Sequence, residues 1–315
     1  MSTRHITDVL VIGSGIAGAT CALTLADTGA EVTLLTAAET LTSTNTAWAQ
    51  GGIVYRGPGD SPALLAEDIA EAGAQQNYGR AVRHLSERGP DAVRELLVER
   101  YEVAFTRQGP IDWALTREGA HSAPRILYCA DHTGASIMDA LAVAIEASPN
   151  IRVLTRRTAI DLLTTHHHAT HLDFRYNLVN ACVGAYVYNE ARGQVETMLA
   201  QRTVLATGGA GQVFLHTTNT PGSIGSGLAM ASRAGATLRN IEYVQFHPTA
   251  FFRSPRSSQR RFLISEAVRG EGARLKNAKG ETFTERYDPR GDLAPRDVVT
   301  RAILDELITS GEACV

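Results

Sequence analysis

Short apolar, β-branched runs alternate with small-residue turns and Ala-rich helical stretches along the first 240 positions, the pattern of an α/β fold with a parallel sheet. Asp8-Val9-Leu10-Val11-Ile12 predicts a buried parallel strand and leads directly into Gly13-Ser14-Gly15-Ile16-Ala17-Gly18, with Ala22 four residues on. A strand, a glycine turn and a helix start thus fall within fifteen residues. Glu31-Val32-Thr33-Leu34-Leu35 predicts the second strand. Residues 42–52 carry no helical or strand period and read as a loop of hydroxyl and small side chains able to lie against a flat ligand. Ser61-Pro62 places a good N-cap and N1 pair before a helix over 61–76, and a second helix is expected over about 90–100.

Periodicity is lost between residues 102 and 127. There Leu115-Thr116-Arg117-Glu118-Gly119-Ala120-His121-Ser122, with Arg125 beyond, is too polar for core, so it is either an exposed turn or a substrate-facing loop. Thr133-Gly134 opens an Ala-rich helix to about residue 147, followed by strands over 151–154 and 159–163. Residues 182–188 and 195–199 alternate as a hairpin, and Arg202-Thr203-Val204-Leu205-Ala206 reads as a further buried strand. Thr207-Gly208-Gly209-Ala210-Gly211 ends it, and Gly225-Ser226-Gly227 opens another helix to about residue 234. Two glycine turns at strand ends point to one crevice, because open α/β sheets bind ligands at the carboxyl ends of their strands.

From residue 240 the character changes. Gln245-Phe246-His247-Pro248-Thr249 sets an imidazole beside a rigid proline, residues 253–261 form a basic, Ser-rich run, and a helix is expected over about 296–308 behind Pro295. Arg296 would lie at the positive end of that helix, where the dipole disfavours a cation. Its presence there calls for a carboxylate ligand or a proton-carrying role. A boundary is expected there, with residues 1–240 as a Rossmann-like domain and residues 241–315 as a smaller second domain.

Charge and composition narrow the ligand. With 30 Lys+Arg against 33 Asp+Glu in 315 residues, the net charge of −3 gives no global field to gather nucleic acid or an anionic membrane. The run over 253–261 has no interleaved aromatic residues and reads as a solvated loop. No segment reaches a membrane-spanning length of apolar residues, and the first apolar run ends at Gly13, too soon for a signal-peptide core. Cys21, Cys129, Cys182 and Cys314 are widely spaced, which fits free thiols and a cytoplasmic setting. His166, His167, His168 and His171 read as a solvated hairpin tip and not a metal site, because consecutive side chains diverge and no carboxylate or Cys is spaced to complete a shell. A small-molecule ligand is expected, and no metal.

The first glycine turn identifies its class. Gly13 permits the tight turn, Gly15 lets a pyrophosphate approach the backbone, and Gly18 with Ala22 brings helix and sheet together, with the phosphates on the helix N-terminus. NAD sites usually end the second strand with Asp or Glu to hold the ribose, whereas Thr36 and Ala37 follow here. NAD is disfavoured as the primary ligand, and FAD remains open.

Six motifs in order resemble the succinate dehydrogenase and fumarate reductase flavoprotein group: residues 13–18, Ala49-Gln50-Gly51-Gly52, Ala206-Thr207-Gly208-Gly209, Gln245-Phe246-His247-Pro248-Thr249, Arg269-Gly270-Glu271-Gly272 and Pro295-Arg296-Asp297. Within it, residues 115–122 with Arg125-Ile126 resemble the L-aspartate oxidase family's form of that loop. The resemblance implies FAD on Gly13, Ser14, Gly15, Ile16, Ala17 and Gly18, with Asn45, Thr46, Ala47, Trp48, Ala49, Gln50, Gly51 and Gly52 along the flavin. It implies Thr207, Gly208 and Gly209 near the adenosine part and a contact at Ser226. Dehydrogenases of the group carry a flavin-linking His where Asn45 stands, so the FAD is expected to be noncovalent.

The implied reaction is oxidation of L-aspartate to iminoaspartate, with electrons passing to oxygen or fumarate and the product entering NAD biosynthesis through quinolinate synthase. Glu118 would meet the ammonium, His247 a carboxylate, and Arg296 would carry a proton. The alternatives are a fumarate reductase or succinate dehydrogenase relative, or a noncatalytic FAD-binding fragment. Family members continue past the point matching Val315, so the resemblance implies that residues 241–315 are a partial α+β capping domain and that residues 1–240 form an FAD-binding domain lacking its usual return segment. Two positions depart from the group's pattern: Ser226 stands where Asp is usual, removing a carboxylate acceptor, and Ala120 where Gly is usual.

Overall fold

The computed structural model describes residues 4–109, 112–166, 169–254 and 259–315. In chain order they form β1 (Arg4–Ile12), α1 (Ile16–Ala26), β2 (Val32–Leu35), β3 (Ile53–Val54), α2 (Pro62–Ala72) and α3 (Gly79–Ala92). A π-helical continuation (Val93–Arg100) leads to the short strands β4 (Arg107–Gln108), β5 (Asp112–Trp113), β6 (Leu115–Thr116) and β7 (Ile126–Leu127). Then come α4 (Thr133–Ala147), β8 (Ile151–Leu154), β9 (Arg157–Thr164), α5 (Leu172–Asn177), β10 (Cys182–Asn189), β11 (Gln194–Leu205), α6 (Ser226–Arg233), α7 (Glu266–Gly270) and α8 (Arg296–Ser310). They divide into two compact units, Met1–Ala49 with Gly134–Ile241, and Gln50–Thr133 with Glu242–Val315. The division drawn from the sequence and the division by compactness meet at residues 240–242. They part over residues 50–133, which belong to the second unit by their contacts.

The first unit is built on a six-stranded sheet in the order β8-β2-β1-β11-β10-β9. β8, β2, β1 and β11 run parallel, and β10 and β9 add antiparallel strands at one edge. The α/β class and the mostly parallel sheet are as the apolar runs predict. Leu10, Ile12 and Leu35 pack with Leu162, Val187, Met198 and Met230 in one cluster. Each large side chain buried there contributes about 1.5–3 kcal/mol relative to exposure. One reading changes: residues 195–199 and 202–206 are not separate strands. β11 is continuous, pairing with β10 through its first half and lying parallel to β1 from Thr197 to Leu205. A polar pair, Gln201-Arg202, interrupts its apolar pattern at exposed positions without a turn.

In the second unit α2 starts as predicted, with Ser61 Oγ accepting from Leu64 N–H at 3.1 Å and Pro62 in the first turn. The next helix begins at Gly79, eleven residues before the expected start, and Pro90 is buried inside it. Pro90 lacks the N–H needed to continue the i→i−4 ladder, and beyond it the helix widens to the i→i−5 register, as in the 2.9 Å bond from Tyr101 N–H to the Leu96 carbonyl. Strands β3, β7 and β6 form a small antiparallel sheet. α8 ends at Gly311, whose φ of +75° suits a left-handed cap.

Two further expectations change or fall partly outside these residues. Of the basic run, Arg253 is exposed but Arg261 is buried, and positions 255–258 lie outside the described residues. Of the four clustered histidines, His167 and His168 lie outside them, His166 is partly exposed, and His171 caps α5. The four cysteines are free thiols. Among the described residues no helix is long and apolar enough to cross a membrane, and no three His, Cys, Asp or Glu side chains converge as metal ligands would.

Candidate functional site

In the first unit, glycines following β1 and β11 and one loop shape a cradle at the carboxyl ends of these strands. Gly13 adopts φ +110°, and a Cβ there would lie 2.2 Å from the Ala206 carbonyl oxygen. A Cβ on Gly18 would lie 1.8 Å from the Gly13 carbonyl oxygen, so both positions require glycine. Ser14 is fixed by donating from Oγ to the Leu41 carbonyl at 3.0 Å. Thr46 Oγ1 accepts from the Ile16 N–H at 3.1 Å, so one N–H at the start of α1 is already engaged by the loop. Asn45 bridges the loop to residues 220–223: its Oδ1 accepts from Thr220 N–H at 2.8 Å and its Nδ2 donates to Ser223 Oγ. Beyond β11, Gly208 (φ +71°) and Gly209 have open space where a side chain would sit, and Gly225 N–H returns to the Gly209 carbonyl at 3.1 Å. A glycine cradle with room left above it fits a group that brings phosphates against backbone.

In the second unit, a charged cluster surrounds Arg296, the first residue of α8. Its Nη2 donates to Glu118 Oε2 at 3.1 Å and its Nε to Glu266 Oε2 at 2.8 Å. Two carboxylates therefore answer the question of why a cation sits at a helix N-terminus. Glu118 Oε1 accepts from Gly52 N–H at 3.3 Å, and Glu266 Oε1 from Gly119 N–H at 2.9 Å. Burial alone would raise the Glu266 carboxyl, but the hydrogen bond and charge of Arg296, the Gly119 N–H and Arg269 outweigh it and hold it below the usual range. Arg269, one turn along α7, is almost fully buried, donates to the Asp292 carbonyl, and stands 4.0 Å from Glu266. Its Nε and Nη2 have no hydrogen-bond partner among the described residues, and burial lowers its pKa.

An open cleft of ≈ 510 Å³ lies beside this cluster, lined by Glu118, Gly119, His121, Phe246 and Arg296 among others. Of the loop, residues 118–121 line this cleft. Arg125 behaves differently: it is fully buried, donating from Nε and Nη2 to the two Asp60 oxygens at 3.1 and 2.8 Å and from Nη1 to Asp68. Two carboxylates, not exposure, satisfy the charge that made this residue look unsuited to core. His247 is half-buried, and its Nδ1 lies 2.9 Å from the Thr249 carbonyl, which can only accept. The same Nδ1 lies 3.3 Å from the Thr249 N–H, so it faces both an acceptor and a donor, and the Thr249 backbone serves either tautomer. Burial pushes its pKa down; the Thr249 bond opposes this, and the Arg296 and Arg269 charges add to it.

Residues 8–315 match the family described as "FAD binding domain". The chain belongs to this FAD-binding family. It is 42% identical to the L-aspartate oxidase of Pseudomonas aeruginosa over all of this chain and 57% of that protein. It is likewise 42% identical to L-aspartate oxidase 1 of Ralstonia nicotianae, over 98% of this chain and 56% of that protein. Among solved structures, the E. coli quinol fumarate reductase FrdA superposes with a TM-score of 0.84 at 25% identity, covering 98% of this chain and 52% of that one. The chain thus spans about half the length of the relatives it matches.

Membership of the FAD-binding family gives the cradle its ligand class, and the fold is that of the group the six motifs resemble. Of the residues expected along the cofactor, Gly13, Ser14, Gly15, Ile16, Ala17, Gly18, Asn45, Thr46, Ala47, Trp48, Ala49, Thr207, Gly208, Gly209 and Ser226 fall in the first unit. Gln50, Gly51 and Gly52 fall in the second, with Glu118, His247 and Arg296. A Cβ on Gly51 would lie 3.0 Å from Glu118 Oε1, so the second half of that loop is packed directly on the acidic loop. The sequence reading did not single out Glu266, Arg269, Asp60, Asp68 or His121 as site residues. Glu266 and Arg269 were open to detection, as an acid and a base three apart share a helix face; Asp60 and Asp68 were not, because only the tertiary fold brings them to Arg125.

Proposed function

We propose that the chain supplies FAD-dependent oxidation of L-aspartate to iminoaspartate. Its carrying observation is the Glu118, Arg296 and Glu266 cluster beside the cleft, which combines an anion for an ammonium with a cation for a carboxylate. FAD would be held noncovalently on the Gly13 turn, with residues 45–52 and 207–209 and Ser226 as its other contacts; Asn45 is an amide engaged with Thr220 and Ser223 and offers no nucleophile for a covalent link. Bound FAD would supply the two-electron acceptor for the amine oxidation. Oxygen or fumarate would reoxidise it, with quinolinate synthase consuming the product in NAD biosynthesis. The free thiols agree with a cytoplasmic setting.

Glu118 accepts from the substrate ammonium, and its two existing hydrogen bonds fix its carboxylate before substrate arrives. Arg296 donates to a substrate carboxylate and is the proton carrier nearest the acidic loop. An arginine serves as a proton carrier only with strong perturbation, since its pKa exceeds about 12. Arg296 is held by two carboxylates, so the proton it passes must be replaced in step, with Glu266 and Arg269 lined up behind it. His247 offers Nε2 to a carboxylate as an imidazolium donor, a form that an arriving anion favours.

The likeness to quinol fumarate reductase favours a second reading, a dicarboxylate dehydrogenase or reductase of that group. A visible spectrum of the FAD-reconstituted chain, repeated anaerobically with each substrate, separates the two. Bleaching by L-aspartate but not succinate supports the oxidase, and bleaching by succinate supports the second reading. Retained flavin that neither substrate bleaches makes the chain a noncatalytic FAD binder.

A further inference from the structure

His121 lines the cleft together with Glu118 and Arg296, three positions beyond Glu118 on the same loop. Its Nδ1 lies 3.1 Å from Arg125 Nη1. A guanidinium has no acceptor, so Nδ1 must present its lone pair, and the ring proton belongs on Nε2. Arg125 in turn cannot move away, because Asp60 and Asp68 hold its other nitrogens in a fully buried site. Nε2 makes no hydrogen bond to any described residue.

We propose that His121 is a specificity-determining residue that donates from Nε2–H to the side-chain carboxylate of the dicarboxylate substrate, with Arg125 holding the donor tautomer in place. This deepens the oxidase reading and rests on it for the identity of the substrate. The charged groups around the ring are Arg125, Asp68, Glu118 and Asp60. Burial and the Arg125 charge keep the imidazole neutral against the pull of the three carboxylates, so the donor is available without protonation. A neutral donor suits a cleft whose nearby cation is already shared between Glu118 and Glu266, since it adds a directed contact without adding charge.

Two substitutions separate binding from loop support. His121→Asn keeps an acceptor for Arg125 near Nδ1 but has no donor near Nε2, whereas His121→Gln keeps a donor near Nε2. Succinate is the probe, titrated calorimetrically into the FAD-loaded protein. The expected result is about a tenfold or greater loss of succinate affinity in His121→Asn with an unchanged melting temperature, and affinity within about threefold of the parent in His121→Gln, as a directed hydrogen bond to a charged group is worth about one decade in binding. Equal affinity of parent and His121→Asn, equal losses in both variants, or no succinate binding by the parent would each overturn the assignment. Anaerobic bleaching by L-aspartate is read separately on the parent: its absence removes the oxidase reading, while the succinate comparison still decides whether His121 binds a carboxylate.

Discussion

Glu118 and Arg296, 178 residues apart in sequence, form a hydrogen-bonded ion pair at 3.1 Å. Both side chains keep partial access to solvent, 25% and 32% of their surface. Such a pair contributes about 0–1 kcal/mol to stability, comparable to the cost of setting a cation at a helix N-terminus, so it leaves little net stabilisation. Its value is geometric: it holds one negative and one positive group beside a cleft.

The first prediction follows from that small stability term. Glu118→Gln keeps the side chain's shape and its ability to accept from Gly52, but removes the charge that would meet an ammonium. Anaerobic stopped-flow reduction of the flavin by L-aspartate should slow by about a hundredfold, the scale of losing a positioning contact. The melting temperature should move by no more than a few degrees, since an exposed pair is worth at most about 1 kcal/mol. Equal loss of stability and rate would make the pair structural.

Ala120 carries the second prediction. It has φ +66°, a left-handed conformation that disfavours any residue with a Cβ. This is also the position where the resemblance expects glycine, and the backbone explains why. Ala120→Gly should stabilise the protein by about 0.5–1 kcal/mol, the relief of left-handed strain less the greater freedom glycine has when unfolded. The midpoint of urea unfolding measures it, and an unchanged or lower midpoint would show that the strain is absorbed elsewhere in the loop.

Ala120 also shows how far the sequence could be read. Local patterns carried the parallel strands, the glycine turn and the start of α2, because β-branched runs, a Gly-x-Gly-x-x-Gly spacing and a Ser-Pro cap each act over a few residues. Motif order singled out Glu118, His247 and Arg296, but the boundary expected at residue 240 left Glu118 with the first domain, and only the fold gathers the three into the second unit. What the pattern could not carry were partnerships formed at long range. Arg125 looked too polar to bury until Asp60 and Asp68 were placed around it, and Pro90 resembled a helix start because a proline inside a widened helix has no local signature. The continuity of β11 was hidden by a polar pair at exposed positions.

Stability should fall with acid in two stages. His121 and His247 both titrate below their usual 6.5 in the folded protein, chiefly through burial, with the Arg125 charge adding for His121 and the Arg296 and Arg269 charges for His247. The unfolded chain then binds protons near pH 6.5 that the native state refuses, so their contribution is present above that pH and is lost as pH falls toward the folded values. Glu266 and Asp68 follow. Burial opposes their ionisation, but Arg296 and Arg125 with nearby N–H donors hold both below the carboxylate range, so their contribution is present above about pH 4.5 and lost as pH drops through their folded values. Urea unfolding from pH 8 to 4 should show a plateau above pH 7, a first decline from about 6.5 and a steeper one below about 4.5. His121→Gln should flatten part of the first decline and leave the second; an unchanged first decline would remove His121 from it.

The largest stability effect is expected at Arg125. Its guanidinium has no solvent exposure, and two Asp60 oxygens and one Asp68 oxygen close around it. Asp68 also accepts from the Ser122 N–H and Oγ at 2.9 Å each, so α2 and the acidic loop are joined through one buried charge network. Removing one member of such a network leaves an uncompensated buried charge and costs about 3–5 kcal/mol. Arg125→Met should therefore lower unfolding free energy by about that amount, a large share of the roughly 5–15 kcal/mol typical of a folded domain. Asp60→Asn added to Arg125→Met removes one orphaned charge and should recover part of the loss. Urea midpoints of the parent, both single variants and the double variant give the coupling directly, and strictly additive losses would show that Arg125 and Asp60 do not act as a pair. The same series separates support from chemistry. Because Arg125 holds His121 and Ser122 and does not line the cleft, Arg125→Met should weaken succinate binding at temperatures where the variant is still folded and its flavin still bound.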